Sequence, residues 1–228
     1  MKNKIYILSI LIAIGTNAHG QTEAIEGKST FGIYGGVNLQ NINGKDANGD
    51  KLSNSLVIGY NIGVNYEFPI ATDFYLQPGI QFIKKGTKGP VTYANSGNYT
   101  IDREIKLNYI EVPINFIFKP ILGTGHLILG FGPYVGYAVG GKALFEGTNA
   151  PDDTNIDFRS TVSNTDPNNL IYFKRMDVGG NFFVGYELKS GLNFSLTSQL
   201  GLVNINSKTT SKLANQNTGF GLAIGYRF

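Results

Sequence analysis

Two histidines, His19 and His126, and no cysteine occur in the 228 residues, which narrows the available chemistry before any fold is considered. A thiolate zinc site, a cysteine nucleophile, a disulfide scaffold and a lipidated N-terminal cysteine are all excluded. The run Gly136-Tyr137-Ala138-Val139-Gly140-Gly141-Lys142-Ala143 nearly matches a phosphate-binding loop, but Ala143 stands where the magnesium-binding hydroxyl belongs and no helical pattern follows. Gly130, Gly132 and Gly136 resemble part of a dinucleotide fingerprint without the crossover helix that fingerprint requires. Asp152, Asp153 and Asp157 could offer oxygens to calcium but lack the ordered spacing of an EF-hand loop, so they read as solvated loop acids. What remains is a set of isolated charges, Glu67, Glu111, Arg175, Asp177, Glu187 and Arg227, each in or beside a segment of alternating hydrophobicity. Their expected role is an interior polar network, since buried charges must be paired or hydrogen-bonded. No cofactor is implied.

The segments that carry these charges read as strands. From Phe220, the residues Phe220, Leu222, Ile224, Tyr226 and Phe228 alternate with Gly221, Ala223, Gly225 and Arg227, an unbroken period of two. The same alternation sets Ile58, Tyr60, Ile62, Val64, Tyr66 and Phe68 against small or polar residues ending in Glu67. It sets Ile110, Val112, Ile114, Phe116 and Phe118 against Tyr109, Glu111, Pro113 and Asn115. Further strands run over about 74–82, 178–188 and 192–202, and two glycine-rich ones over about 29–41 and 126–139. Eight strands result.

Alternation alone also fits a sandwich of two sheets, whose exposed faces would carry many charges. Here the second face is Gly, Asn, Gln and Ser, and only 15% of all residues are charged against about 25% in ordinary soluble domains. That composition suits a crowded barrel interior, with the apolar face toward lipid. Connections alternate short (Pro69 to Asp73, Lys119 to Gly125, Lys189 to Gly191) and long (about 42–56, 85–104, 141–172 and 204–216), as periplasmic turns and extracellular loops do. The expected fold is all-β, an eight-stranded antiparallel up-and-down transmembrane β-barrel over 21–228.

Residues 1–20 read as a signal peptide: Lys2 and Lys4, the apolar run Ile5 to Ile14, and Ala18-His19-Gly20 before a cut at Gln21. That apolar run is too short to span a bilayer. The formal charge of +3 falls by two once those lysines leave, and it gives no reason to expect nucleic acid. His19 leaves with the signal, and His126 follows a short turn at the periplasmic end, so general-base catalysis by histidine at an extracellular rim is not available. The chain is not expected to be an enzyme.

Several segments together resemble the PorT-type outer-membrane β-barrel family: FGIYGGVNLQN, YIEVPINFIFK, GPYVGYAVGGK, DVGGNFFVGYEL and the terminal GFGLAIGYRF. The most specific are the run Tyr109 to Pro113 and the triplet Gly132-Pro133-Tyr134 that follows it. The resemblance implies an outer-membrane location in a Gram-negative envelope, and for the name-giving member a role assisting a protein secretion machine. It defines no catalytic residues.

An eight-stranded barrel has an interior just wide enough for side chains or one small ligand. The expected function is therefore that of a monomeric envelope structural or interaction protein acting through its extracellular loops. A secretion accessory is the alternative, and a small-solute channel a weaker one. Outer-membrane lipids are one expected partner, and an envelope or secretion-system protein another. A third is the barrel-assembly machinery, which would recognise Phe228 and Tyr226. The surface expected to carry function is the longest connection, where Phe145, Phe158, Leu170 and Tyr172 mix with Asp152, Asp153, Asp157, Arg159 and Asp166.

Overall fold

The computed structural model of the chain describes residues 28–45, 49–93, 99–162, 170–207 and 214–228. The expected signal segment, residues 1–20, lies outside the described residues, as does Asp166. Eight long strands run as β1 (Thr30–Lys45), β2 (Val57–Ala71), β3 (Phe74–Tyr93), β4 (Tyr99–Phe118), β5 (Gly125–Glu146), β6 (Met176–Glu187), β7 (Leu192–Gly201) and β8 (Ala214–Arg227). Each pairs antiparallel with its sequence neighbour, and β1 pairs with β8 from Gly32↔Arg227 to Lys45↔Ala214. The ring is closed, and no barrel strand is left as an open edge.

Across the middle of the ring the side chains follow the expected phase. Ile58, Ile62, Phe116, Phe131, Phe182, Leu196 and Leu222 are exposed on the outside, while Glu67, Gln77, Gln81, Glu111, Asn115, Asp177 and Gln199 are buried inside. Aromatic pairs ring the outer surface toward the short turns, among them Phe74–Phe118 at 4.8 Å and Tyr226–Phe228 at 4.9 Å between centroids. Tyr60–Phe82, at 6.0 Å, marks the opposite edge of the apolar band. This is the arrangement of a lipid-facing belt flanked by aromatic girdles.

Two connections differ from expectation. The segment 85–104 is not a loop: β3 continues to Tyr93 and β4 begins at Tyr99, in register from Lys85↔Leu107 to Tyr93↔Tyr99. Likewise β5 continues through 141–146, followed by short pairings at Thr154–Asn155, Asp157–Phe158 and Tyr172–Phe173. The physical reason is that the alternation inverts. Beyond the lipid belt Ile101, Ile105, Leu107 and Ala143 turn inward and are buried, while Asp102, Lys106 and Lys142 face outward. A strand passing from lipid into water must exchange its faces, and a search for one continuous outward apolar row stops where that exchange happens.

The inverted section holds the hydrophobic core. Ile42, Ile83, Ile105, Leu107, Tyr109 and Ala138 from the wall meet Ile156, Phe173 and Ile205 from the connections, with Phe145, Phe158, Ile171 and Val203 packed around them. Backbone hydrogen bonds lace these connections together: Ile156 N–H to Gly141 C=O at 3.0 Å, Lys174 N–H to Ile205 C=O at 2.7 Å and Ile205 N–H to Asn215 C=O at 2.9 Å. The result is an apolar cap over the mouth at the end of the long connections. Phe145 and Phe158 therefore pack against this cap while staying partly exposed, and Tyr172 is buried beneath Arg159, so these rings, expected as contact area, give part of their surface to the fold.

Candidate functional site

Below the cap, charged side chains cross the lumen in two layers. The upper layer centres on Lys85, an inward residue of β3 whose side chain has no solvent exposure. Its Nζ lies 2.5 Å from Glu111 Oε1 on β4 and 2.9 Å from Asp177 Oδ2 on β6. The ammonium also sits over the rings of Tyr134, at 4.4 Å, and Tyr109, at 5.4 Å. Two carboxylates share one cation here, and amide donors and the Tyr134 hydroxyl add further hydrogen bonds. Gln81 and Gln199 donate to Glu111 Oε2 at 2.9 and 3.0 Å, and Asn217 donates to Asp177 Oδ2 at 2.9 Å. Charges taken out of water at this depth persist only with such partners.

The lower layer lies at the end of the short turns and is a closed exchange of two acids and two bases. Lys119 reaches Glu67 at 3.0 Å and Glu187 at 2.8 Å, while Arg227 reaches the same two carboxylates at 2.8 and 3.2 Å. Gln77 adds a donor to Glu67 at 3.0 Å. Every carboxylate here meets both cations, so no member depends on a single partner. Between the layers lies a chamber of about 120 Å³ faced by Tyr34, Asn38, Asn61, Gln81, Asn115 and Gln199. Its lining is amide-rich, with Glu67 and Arg227 of the lower layer as its charged members.

Of the six charges expected to form an interior network, Glu67, Glu111, Asp177, Glu187 and Arg227 line the lumen, divided between two layers. Arg175 does not. It is exposed just before β6, donates from Nη1 to Ala138 C=O at 3.1 Å, and stacks on Tyr137 and Phe158 with its guanidinium 5.7 and 5.1 Å from the ring centroids. Besides Arg227, the cations that pair with the interior acids are Lys85 and Lys119, both of which the sequence reading places in connections. The signal was available: counting by twos inward from Gln77 through Gln81 and Ile83 reaches Lys85, and counting from Asn115 reaches Lys119.

The remaining candidates have ordinary positions. Gly136 to Ala143 lies wholly within β5, with Gly136 in register with Glu111. Asp153 accepts the Phe145 N–H at 3.1 Å, and Asp157 pairs with Arg159 at 2.8 Å. His126 stands opposite Glu187 at the short-turn end. Tyr226 and Phe228 are exposed on the outer face, and the Phe228 N–H donates to Phe31 C=O at 2.9 Å.

A family model described as the outer membrane protein beta-barrel domain matches residues 19–207. Among solved structures the chain is similar to Ail, the attachment invasion locus protein of Yersinia pestis, at 15% identity and a TM-score of 0.43, with 89% of this chain and 100% of that one covered. It is similar to the outer membrane protein OprG from Pseudomonas aeruginosa at 12% identity, TM-score 0.39, with 90% and 99% covered. The translocator domain of the autotransporter NalP from Neisseria meningitidis shares 8% identity at a TM-score of 0.36, with 96% and 93% covered. Likeness of this degree concerns the fold alone. Comparison with curated protein sequences finds no match.

Proposed function

Because the chain belongs to the outer membrane protein beta-barrel domain family, we propose that it acts in the outer membrane as a monomeric, non-conducting envelope protein whose partners meet its extracellular projection. The observation that carries this reading is Lys85, which ties β3 to β4 and β6 across the lumen beneath an apolar cap. A path for solutes would have to break this ion cluster, then pass Ile105, Leu107 and Phe173. No reaction, cofactor or nucleic acid enters the reading. Outer-membrane lipids surround the belt, and Phe228 and Tyr226 are the features that the barrel-assembly machinery would recognise.

The projection is formed by the ends of β3, β4 and β5, and it carries mixed charge on its outer face. Lys88 pairs with Asp102 at 3.5 Å and with Glu146 at 3.0 Å, and all three side chains keep more than a third of their surface exposed. A rigid, charged sheet above the membrane is a better platform for a protein partner than a loose loop, because less conformational freedom is lost on binding. The experiment is twofold. Planar-bilayer recording of the purified protein is expected to show no steady conductance, and a photo-crosslinker at Asp102 is expected to capture an envelope partner in intact cells. The same crosslinker at Lys189, in a short turn, tests the secretion-accessory role that the PorT resemblance implies. Crosslinks from Lys189 alone would favour that role, and a reproducible open channel would favour solute transport.

A further inference from the structure

We infer that the outer wall carries a binding site for a phosphate-bearing lipid headgroup of the extracellular leaflet, built from Lys84, Lys106, Lys142 and Arg175. On four consecutive strands a cation stands near the outer edge of the apolar belt, at or next to the first outward position on β3 and β6 and at the second on β4 and β5. On β3 the outward row runs through Ile80 and Phe82 to Lys84, and on β5 through Val135, Tyr137 and Val139 and then, past a bulge, by Gly140 to Lys142. Arg175 precedes Met176 and Val178 at the start of β6, and on β4 Lys106 follows one polar residue, Asn108, beyond Ile110. The assignment of faces is independent of strand tilt. Lys84 lies over the outward ring of Tyr60 at 4.7 Å, and Arg175 lies over the outward ring of Tyr137. Lys106 is flanked by the buried Ile105 and Leu107, and Lys142 by the buried Ala143.

Three features point to a ligand and away from general surface charge. First, Lys106 and Lys142 are direct cross-strand partners on one face, a placement that like charges make unfavourable unless an anion offsets it. Glu104 sits 3.3 Å from Lys106, but Lys84, Lys142 and Arg175 have no ion pair among the described residues. Second, the cluster is one-sided. At the same edge of the belt, β7, β8 and β1 continue with Asn204, Thr218 and Asn41, all neutral. Third, the outward cations gather at the extracellular edge: toward the periplasm the outward rows of β3, β4 and β6 close on Phe74, Phe118 and Leu188, and the lysines that follow the last two, Lys119 and Lys189, belong to the lumen and to a short turn. The continuity of the cations with the lipid belt selects the occupant. A group bound here has its headgroup at the cations and its chains against Ile110, Tyr137 and Val139, which a soluble anion would not use. Long basic side chains at a membrane edge suit this position because their stems cover apolar surface while the charge reaches the headgroup.

The test uses the full mature chain in bicelles containing equal amounts of diphosphorylated lipid A and its dephosphorylated form, with retained lipid read by native mass spectrometry. Each cation near a charged membrane surface contributes about a fivefold preference. The wild type is therefore expected to retain the phosphorylated form well above that ratio. Lys84→Gln/Lys142→Gln/Arg175→Gln is expected to lower the ratio toward the roughly fivefold preference that Lys106 alone would leave, and Lys28→Gln/Lys189→Gln to leave it unchanged. Equal retention by the wild type, or an unchanged preference in the triple variant, overturns the site. Displacement of the lipid by an equal concentration of inorganic phosphate would assign the cations to a free anion and overturn the lipid reading. A second measurement needs no variant: the heat-modifiable transition of the wild type should rise with phosphorylated over dephosphorylated lipid, and no difference counts against the proposal.

Discussion

Lys85 and Asp177 meet across the lumen at 2.9 Å although 92 residues separate them in the chain, and neither side chain is exposed to solvent. Their contact fixes β3 to β6, two strands that are not hydrogen-bonded neighbours in the ring. Replacing Lys85 by Met should therefore cost about 3 to 5 kcal/mol, because it leaves Glu111 and Asp177 buried without their cation. Urea unfolding in lipid vesicles measures this. The triple variant Lys85→Met/Glu111→Gln/Asp177→Asn should recover much of the loss, and a triple variant no more stable than the single one would show that the charges are not the cause.

A second prediction concerns a ring packed onto bare backbone. Phe183 and Gly130 are cross-strand partners facing the lumen, and a β-carbon added at Gly130 would stand 2.1 Å from Phe183 Cζ. Gly130→Val must push the ring aside, at about 1 to 3 kcal/mol, the range for overpacking a filled site. Phe183→Ala in the same chain should relieve part of that cost. A double-mutant cycle reads the coupling directly, and additive effects would mean that the ring is free to move away.

The lipid belt predicts an asymmetry between neighbouring residues. Ile114 and Leu196 are exposed outward in the apolar band, whereas Thr197 faces the chamber. Ile114→Arg or Leu196→Arg should destabilise the barrel by about 2 to 4 kcal/mol near the midplane. Thr197→Arg, with polar groups in reach, should cost less. Unfolding titrations of the three variants in one lipid supply the ranking.

Much of this was legible in the primary structure, and the boundary of what was not has a physical origin. Within the bilayer, residues such as Ile110 to Phe118 alternate against Tyr109 to Asn115 without exception, because lipid on one side and a narrow lumen on the other impose opposite demands. Above the bilayer the demands reverse, so Ile105 and Leu107 turn in and Lys106 turns out. The adjacent lysines Lys84 and Lys85 look like the polar end of a strand, yet one faces the headgroups and the other the lumen. Period two carried through the polar residues would have separated them. The contact of Arg175 with Tyr137 and Phe158 had no such signal, because it depends on how a connection folds back.

The last residue predicts an assembly phenotype. Phe228 is exposed on the outer face, sets its ring at a tilt 6.2 Å from that of Phe31 and holds the β1–β8 seam through its N–H to Phe31 C=O. Deleting it removes one hydrogen bond and one aromatic contact from the last pairing to close. Membrane-inserted protein, counted as the heat-modifiable fraction, should fall while total synthesis is unchanged. An equal inserted fraction would place the closing signal elsewhere on β8.

The cap gives the final prediction. Ile156 and Phe173 bury against Ile105 and Leu107, so the connection between β5 and β6 is part of the folded mouth. A Gly-Ser replacement of 142–170 would cut β5, which runs to Glu146, and would confuse loss of the cap with loss of a strand. Replacing only 148–170 keeps β5 whole while removing Ile156 and Phe158. The barrel should still insert, since all eight pairings below the cap remain, but its thermal transition should fall as the apolar wall meets water. The chain has no cysteine, so Leu107→Cys provides a clean probe of the mouth. In the intact loop background its thiol should resist a membrane-impermeant maleimide, because Leu107 has no exposure. In the shortened background labelling from outside the cell should become rapid. Slow labelling in both would mean that the connections around Ile205 and Ile42 close the mouth without the longest loop.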